Sequence, residues 1–129
     1  MDLTKLTKVV QYTVTDNGII CYDKDGNIPN PKTAYWDGGL FLLPYSIKSL
    51  KGLPSVVNGY LWLDNYKGES LEGLPDVVNG VLRLDSYTGN DFNHLPKGYE
   101  KICIKGKYHT KAEFDNWWKT EKLKKALLD

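Results

Sequence analysis

The sequence predicts an α+β, mainly β fold: a short single-domain solenoid of parallel strands, with an N-terminal β-hairpin cap and a C-terminal capping α-helix. The first observation is a repeat, because residues 49–69 and residues 70–90 are identical at 14 of 21 aligned positions. The second is the alternation of leucine with other residue types inside each copy, which is typical of a strand with one buried face. A single copy has no second layer to bury its leucines, so neighbouring copies must stack on one another.

Length and composition fit one domain of ordinary globular type. The chain has 129 residues, of which 41% are apolar and 26% are charged, and its mean hydropathy is −0.45. No apolar run reaches the roughly 20 residues that a membrane helix needs, and the first residues lack the apolar core of a signal peptide. We therefore expect no membrane association and a location in the cytosol. We divide the single domain into residues 1–37, residues 38–108 and residues 109–129, which are the hairpin cap with its loop, the repeat stack and the C-terminal helix.

The N-terminal segment predicts a β-hairpin, because two runs rich in strand-forming residues flank the turn sequence Asp16-Asn17-Gly18. The segment GIIC at residues 18–21 also lies 21 residues before GLFL at residues 39–42, which makes it a candidate first copy of the repeat. Residues 28–39 contain two prolines and two glycines and are expected to form a loop.

Each later copy predicts one strand, stacked in parallel on its neighbours. The inward side chains are expected to form two ladders, which are Leu40, Leu61, Leu82 and Ile102, and Leu42, Leu63, Leu84 and Ile104. The other half of each copy, SLxGLPxVVNG, is expected to return the chain and close the core without forming a strand, because Pro54 and Pro75 cannot donate to a ladder. Ile102 follows Leu82 by 20 residues rather than 21, which indicates a single deletion in the last copy.

The C-terminal segment predicts a capping helix. Thr110 and Glu113 have the spacing of a capping box, and residues 111–127 combine apolar side chains with five lysines. We expect Phe114 and one of the two tryptophans that follow it to seal the last repeat.

The pattern LxGLPxVVNGxLxLxxY resembles the short leucine-rich repeats of bacteria and their phages, which join an L-x-x-L-P return to an L-x-L strand. The resemblance covers roughly residues 38–108 and implies the solenoid architecture. The sequence departs from the family pattern at Asn58 and Asn79, where leucine is usual, and at Tyr45, Tyr66 and Tyr87, where asparagine usually satisfies backbone groups in the turn. A straighter or flatter stack than the family's horseshoe is therefore an open alternative.

The outward residues differ from copy to copy, whereas the inward leucines repeat. The predicted partner-binding residues are Phe41, Tyr60, Trp62, Asp64, Arg83 and Asp85. Trp, Tyr and Arg are the residue types that dominate binding hot spots, and a solenoid presents such a strand face to a partner. The alternative is that the N-terminal segment or the C-terminal helix folds over this face.

No pattern of residues predicts catalysis, a metal or a cofactor. His94 and His109 lie 15 residues apart without further ligands at metal-binding spacing, and DKDGN at residues 23–27 lacks the glutamate that completes a calcium loop, so a turn is the better interpretation. Asp64 and Asp85 occupy equivalent places in adjacent strands, about 4.8 Å apart, which is near the spacing of the carboxylates in a retaining glycosidase. A strand edge on a short solenoid offers little burial to raise the pKa of an acid, so an enzyme is the least favoured class.

The two cysteines are expected to stay unbridged. Cys21 and Cys103 belong to repeats about four apart, so roughly 19 Å separates their strands. A disulfide needs Cα atoms within about 7 Å.

These observations favour a non-enzymatic protein-binding module. Its size, expected cytosolic location and phage-like repeats also resemble the small phage proteins that block host defence, including anti-CRISPR proteins, and this resemblance implies a protein partner such as a CRISPR-Cas or other defence complex. The alternative is a nucleic-acid-binding protein, because residues 97–129 hold 9 basic and 5 acidic residues while residues 1–96 hold 8 and 11. The phosphate-binding lysines would be Lys97, Lys101, Lys105, Lys107 and Lys111 with those of the helix, while Tyr99 or Tyr108 stacks on a base.

Overall fold

The computed structural model describes residues 3–42, 46–63 and 65–128. Its strands are β1 (Thr7–Val9), β2 (Gln11–Thr15), β3 (Gly18–Tyr22), β4 (Ala34–Asp37), β5 (Leu40–Phe41), β6 (Val56–Asn58), β7 (Leu61–Trp62), β8 (Val77–Val78), β9 (Val81–Arg83), β10 (Lys101–Ile104) and β11 (Lys107–Thr110), and its α-helix is α1 (Lys111–Leu128). Apart from the hairpin β2–β3, the strands form two sheets, and the chain alternates between them from β4 to β9. The main body is therefore a β-solenoid of about three turns with a spacing of about 21 residues.

The front sheet carries the predicted leucine ladder. Its strand order is β11-β10-β9-β7-β5, and all neighbours except β10 and β11 are parallel. Leu40 pairs with Leu61, and Leu82 pairs with both Leu61 and Ile102. All four side chains are fully buried, and burial of each contributes roughly 1.5–3 kcal/mol. The parallel stack and its inward residues are thus confirmed.

A second sheet forms the back of the coil, with the strand order β1-β4-β6-β8 and parallel pairing throughout. The prediction of one strand per copy is therefore wrong, because the two-valine segment of each copy forms a strand of its own. Pro54 and Pro75 each precede that strand by two residues, so they remove no hydrogen bond from its ladder. Val57 and Val78 pair in register and belong to the same buried cluster as the front leucines.

The loop prediction for residues 28–39 is also wrong in part. This segment contains a 3₁₀ turn, Pro31–Thr33, and then β4. The strand β4 pairs in parallel with β6 along Tyr35, Trp36 and Asp37, each of which lies 21 residues before its partner. The sequence YWDG therefore takes the place of VVNG in an earlier turn, and β1 extends the back sheet beyond it.

Asn58 and Asn79, which depart from the leucine-rich pattern, form a side-chain ladder at the end of the back strands. Asn79 Nδ2 donates to Asn58 Oδ1 at 3.2 Å, and Asn58 Nδ2 donates to Asp37 Oδ1 at 3.1 Å. Matched polar pairs between neighbouring strands help to fix their register. The departure from leucine thus has a structural role.

Tyr66 and Tyr87 occupy the turn position where leucine-rich repeats usually have asparagine, and they stabilise the turn through different interactions. Both rings are buried, and they stack with 6.3 Å between centroids and 17° between planes. The Tyr66 hydroxyl donates to the Ser70 carbonyl, and the Tyr87 hydroxyl donates to the Asp91 carbonyl at 2.7 Å. Each tyrosine therefore fills the core and satisfies a turn carbonyl. Tyr45, at the equivalent position, lies outside the described residues.

The N-terminal hairpin is confirmed, since β2 and β3 are antiparallel with Thr15 opposite Gly18. The candidate first copy at residues 18–21 is wrong, because β3 belongs to the hairpin rather than to the front sheet. Ile19 is buried, and its N–H donates to the Lys51 carbonyl at 2.7 Å. Gly52 is required at this contact, because its φ is +94° and an added Cβ would lie 1.7 Å from the Ile19 carbonyl oxygen.

The last turn ends in a hairpin that the sequence analysis did not predict. Lys101 pairs with Val81 at an offset of 20 residues, which confirms the single deletion. The strand β11 then returns antiparallel through Lys105 and Gly106, whose φ angles of 53° and 78° fit a two-residue type I′ turn.

The helix α1 begins at the predicted capping box. Thr110 Oγ1 accepts from the Glu113 N–H, and Glu113 Oε1 accepts from the Thr110 N–H, both at 3.2 Å. Phe114 is buried and Trp118 packs against the core, whereas Trp117 is 46% exposed. The predicted seal by Phe114 and one tryptophan is therefore confirmed.

Both cysteines are buried and unbridged, as predicted, although Cys21 lies in the hairpin rather than in a turn of the stack. Burial raises the pKa of the Cys21 thiol to about 11, so this thiol is protonated at neutral pH. The described residues contain no apolar helical span of the kind that crosses a bilayer.

Candidate functional site

The outward face of the front sheet carries a row of side chains across five neighbouring strands. By register, this outward row consists of Phe41, Trp62, Arg83, Cys103 and Tyr108. Alternation along each strand turns these side chains away from the leucine ladder. The stacked backbone thus brings together residues that are far apart in the sequence.

Trp62 lies between two other members of the outward row. Its ring centroid is 5.4 Å from that of Phe41, with 56° between the ring planes. On its other side, Arg83 Cζ lies 4.4 Å from the Trp62 ring centroid. A cation–π contact contributes roughly 0.5–2 kcal/mol. The indole is therefore held in place by its two neighbours, and a side chain ordered in this way loses less conformational entropy in any further contact.

Asp85 connects the outward row to the hairpin β10–β11. Its Oδ2 accepts from Arg83 Nε at 3.0 Å, and its Oδ1 accepts from the Cys103 thiol at 2.9 Å and from the Gly106 N–H at 3.1 Å. Burial acts to raise the pKa of this carboxyl, but the hydrogen bonds from Cys103, Gly106 and Arg83 together outweigh burial and hold its pKa below the usual value. A carboxylate kept ionised by three donors is a poor general acid, and these hydrogen bonds link Asp85 to the outward face and to the hairpin.

Asp64, the second carboxylate of the predicted pair, lies outside the described residues, and its separation from Asp85 stays a prediction. Cys103 belongs to the outward row but is only 1% exposed, so it contributes its hydrogen bond and no binding surface. Within the described ranges, no three His, Cys, Asp or Glu side chains are grouped as metal ligands.

The outward face is open in the structure. Phe41 is 43% exposed and Tyr60 is 51% exposed, while Trp62 and Arg83 are half-buried. The N-terminal hairpin meets this face at its edge, where the Tyr12 hydroxyl donates to the Phe41 carbonyl at 3.0 Å. The alternative in which a chain terminus folds over Phe41 and Tyr60 is therefore not what the structure adopts.

A cleft of about 160 Å³ opens in the outward face, lined by Tyr60, Leu61, Trp62, Val81, Arg83 and Tyr108. We call it the tyrosine cleft, because Tyr60 and Tyr108, which are 51% and 52% exposed, both line it. The sequence predicts Tyr108 only as a base-stacking residue of the nucleic-acid alternative and not as a protein-binding residue, because the repeat ends the front sheet at the last parallel strand. The alternating sequence KYHT after a Lys-Gly turn was the signal that indicated another strand.

A larger and wider groove, of about 1180 Å³, follows the turns of the coil. Its lining includes Leu53, Leu74, Leu95 and Pro75, which are residues of the repeated motif. Such a groove results from the repeat itself, because the same residues recur in each turn. The tyrosine cleft differs in being lined mainly by residues that change from copy to copy.

The structure brings together only some of the residues that the nucleic-acid-binding alternative requires. Lys101, Lys105 and Lys107 are exposed on the same hairpin as Tyr108. Tyr99 is wrong as a base-stacking residue, because it is 1% exposed and its hydroxyl donates to Asp115 Oδ1 at 2.9 Å. Burial, reinforced by Asp115, raises the pKa of Tyr99 well above its usual range. This ring anchors the cap instead of facing solvent.

Together the fold and this face define a class of protein: a short β-solenoid that presents an exposed aromatic row beside an arginine on its front sheet. Comparison of the chain with models of protein families, with curated proteins and with solved structures found no match. The functional inference accordingly rests on the geometry of the face.

Proposed function

We propose that the chain is a non-enzymatic protein-binding module whose binding surface is the outward face of the front sheet. The observation that carries this proposal is that Phe41, Tyr60 and Trp62 present aromatic surface on one face, whereas the core positions repeat leucine or isoleucine in each copy. Contiguous exposed apolar surface marks interaction sites in soluble proteins. Trp, Tyr and Arg are also the residue types on which interface energy concentrates.

The proposed binding residues have two different roles. Phe41, Tyr60 and Trp62 supply contact area to the partner. Arg83 and Asp85 pair with each other at 3.0 Å and hold Trp62 in position. Truncating a central aromatic anchor commonly costs about 2 kcal/mol, which is roughly thirtyfold in affinity. Asp64 belongs to the same proposed surface through its place in the sequence.

We further propose that the partner is a host defence complex, such as a CRISPR-Cas assembly, and that the protein acts in the cytosol as an inhibitor carried by a phage or mobile element. The support for this finer proposal is the small size of the chain and the resemblance of its repeats to the short leucine-rich repeats of phages. The inhibitor would act by occupying a surface of the complex, without chemistry of its own.

A nucleic-acid-binding protein is the second candidate. The observation that favours it is the hairpin β10–β11, which carries the exposed residues Lys101, Lys105 and Lys107 together with the exposed ring of Tyr108. Lysines that track a backbone beside an aromatic stacking platform are typical of single-strand binding. In that case, affinity for random DNA or RNA would fall steeply as salt increases.

Affinity purification of the tagged protein from a bacterial lysate, followed by mass spectrometry, tests the first proposal. The wild type is compared with Trp62→Ala and with Lys125→Ala, a matched change at an exposed position of α1. We expect a protein that is retained by the wild type and by Lys125→Ala but lost from Trp62→Ala. Retention of that protein by a folded Trp62→Ala variant would contradict the proposal. Fluorescence anisotropy with random oligonucleotides at two salt concentrations tests the second candidate.

A further inference from the structure

We propose that the tyrosine cleft receives one aromatic side chain of the partner, and that a carboxylate lies two residues from that side chain in the partner's sequence. The occupant is thus an acidic peptide segment with an aromatic anchor. This inference rests on the proposed protein-binding function and assigns a chemistry to the partner.

The size of the cleft limits its occupant to a single side chain. Its volume is about 160 Å³, and an apolar protein cavity of about 150 Å³ accommodates benzene. Pockets for drug-sized ligands or cofactors are larger, roughly 300–1,000 Å³. One ring fits the tyrosine cleft, whereas a cofactor does not.

The lining of the cleft favours an aromatic ring over an aliphatic chain. Tyr60, Tyr108 and Trp62 surround the space with rings, and Val81 adds apolar surface. Aromatic pairs in offset or edge-to-face arrangements contribute roughly 0.5–1.5 kcal/mol beyond the burial of area. A partner ring in this cleft has three aromatic neighbours with which to form such pairs.

The charge around the cleft favours a carboxylate beside the ring. Lys101 is exposed and pairs with Val81, so its backbone lies one strand, about 4.8 Å, from the lining. Arg83 is offset by Asp85 at 3.0 Å, and no acidic side chain is among the described residues that line the cleft. In an extended peptide, residues two apart lie on one face about 7 Å from each other. A carboxylate at that distance from the anchor is within reach of the Lys101 ammonium.

A titration with three small probes, followed by NMR, separates the contributions of ring and charge. Hydrocinnamate carries a ring and a carboxylate, phenethylammonium carries a ring and a cation, and propionate carries a carboxylate alone. The signals to follow are the Trp62 indole N–H and the amides of β7 and β11. We expect saturable shifts with hydrocinnamate, up to about fivefold weaker binding of phenethylammonium, and no saturable shift with propionate, because an exposed charge pair contributes modestly.

Variants distinguish the cleft from other sites. Lys101→Glu should invert the preference between the two ring probes, while Lys125→Glu on α1 should leave it unchanged. Tyr108→Ala and, independently, Tyr60→Ala should weaken both ring probes, with spectral dispersion confirming that each variant is folded.

Three outcomes overturn the inference. Equal binding of the two ring probes to the wild type would contradict a carboxylate in the partner segment. Undiminished binding of the ring probes to folded Tyr108→Ala and Tyr60→Ala would contradict the tyrosine cleft as the binding site. If no probe binds, the cleft is not a site for an aromatic side chain. The proposed function is judged separately, because it depends on loss of the partner protein from Trp62→Ala.

Discussion

At the scale of single residues, Asp85 joins the outward row to the hairpin β10–β11 by accepting hydrogen bonds from Arg83, Cys103 and Gly106. Replacing it with alanine removes the acceptor of the hydrogen bonds from the exposed Gly106 N–H and the buried Cys103 thiol. Two such hydrogen bonds together contribute roughly 1–3 kcal/mol, so Asp85→Ala should lower the free energy of unfolding in urea by about that amount. The control is Asp16→Ala, at a side chain that is 89% exposed, which should change it by less than about 0.5 kcal/mol. Equal unfolding free energies for Asp85→Ala and the wild type would contradict this role.

The same carboxylate predicts a specific loss of stability in acid. The pKa of Asp85 is held below its usual value in the folded protein, whereas the pKa of an aspartate in an unfolded chain is about 3.9. Its ionised form therefore stabilises the fold fully above about pH 4, and this contribution is lost as the pH falls through the lowered folded pKa. The difference in unfolding free energy between the wild type and Asp85→Asn should narrow as the pH falls from about 5 to about 2. A difference that stays constant over this range would show that Asp85 is not the titrating group.

Tyr87 provides a test of the turn chemistry. Tyr87→Phe keeps the buried ring and its stacking on Tyr66 but removes the hydroxyl that donates to the Asp91 carbonyl at 2.7 Å. Loss of one such hydrogen bond should lower the free energy of unfolding by about 0.5–1.5 kcal/mol. Tyr108→Phe, at a ring that is 52% exposed, is the matched control and should have little effect. A Tyr87→Phe variant as stable as this control would mean that the hydroxyl does not support the turn.

At the scale of elements, the front ladder holds the stack together. Leu82 is fully buried between Leu61 and Ile102, and an unpaired carboxylate there would cost several kcal/mol. Leu82→Asp should therefore abolish the cooperative thermal transition measured by circular dichroism. Leu123→Asp, on a residue of α1 that is 61% exposed, should melt close to the wild type. A wild-type-like melt for Leu82→Asp would rule out the stacked ladder.

The elements differ in how far the sequence determined them. The front strands were predictable because leucine alternation over a repeat is compatible with few other structures. The capping box was predictable because it depends only on the local spacing of Thr110 and Glu113. The back strands were missed because two valines show no alternation, and their strand forms through pairing with neighbouring turns. The last hairpin was missed because it requires Lys105, a residue other than glycine, at a φ of 53°. Such a conformation is stabilised by context, here by the bond from Gly106 to Asp85.

At the scale of the whole molecule, the sequence indicated most of the candidate face. Alternation alone placed Trp62 and Arg83 on the outward side of the front sheet, because strand geometry leaves two directions for a side chain. The alternation pattern did not indicate that Cys103 is buried or that Tyr108 is exposed, because both features depend on β11, a strand that lies outside the repeat. The coil thus combines a repeated interior with a surface whose chemistry changes at every turn.

We propose that this surface binds the partner, and the most direct test is the dissociation constant of the co-purified partner for matched variants. Tyr60→Ala with Trp62→Ala removes two aromatic contacts, whereas changing Arg83 would also disturb Asp85, to which it is bonded at 3.0 Å. The control is Lys122→Ala with Lys125→Ala on α1, and a melting curve for each variant establishes that it is folded. We expect the aromatic double variant to raise the dissociation constant by at least about thirtyfold and the lysine double variant to change it little. Unchanged affinity of a folded aromatic double variant would contradict the account.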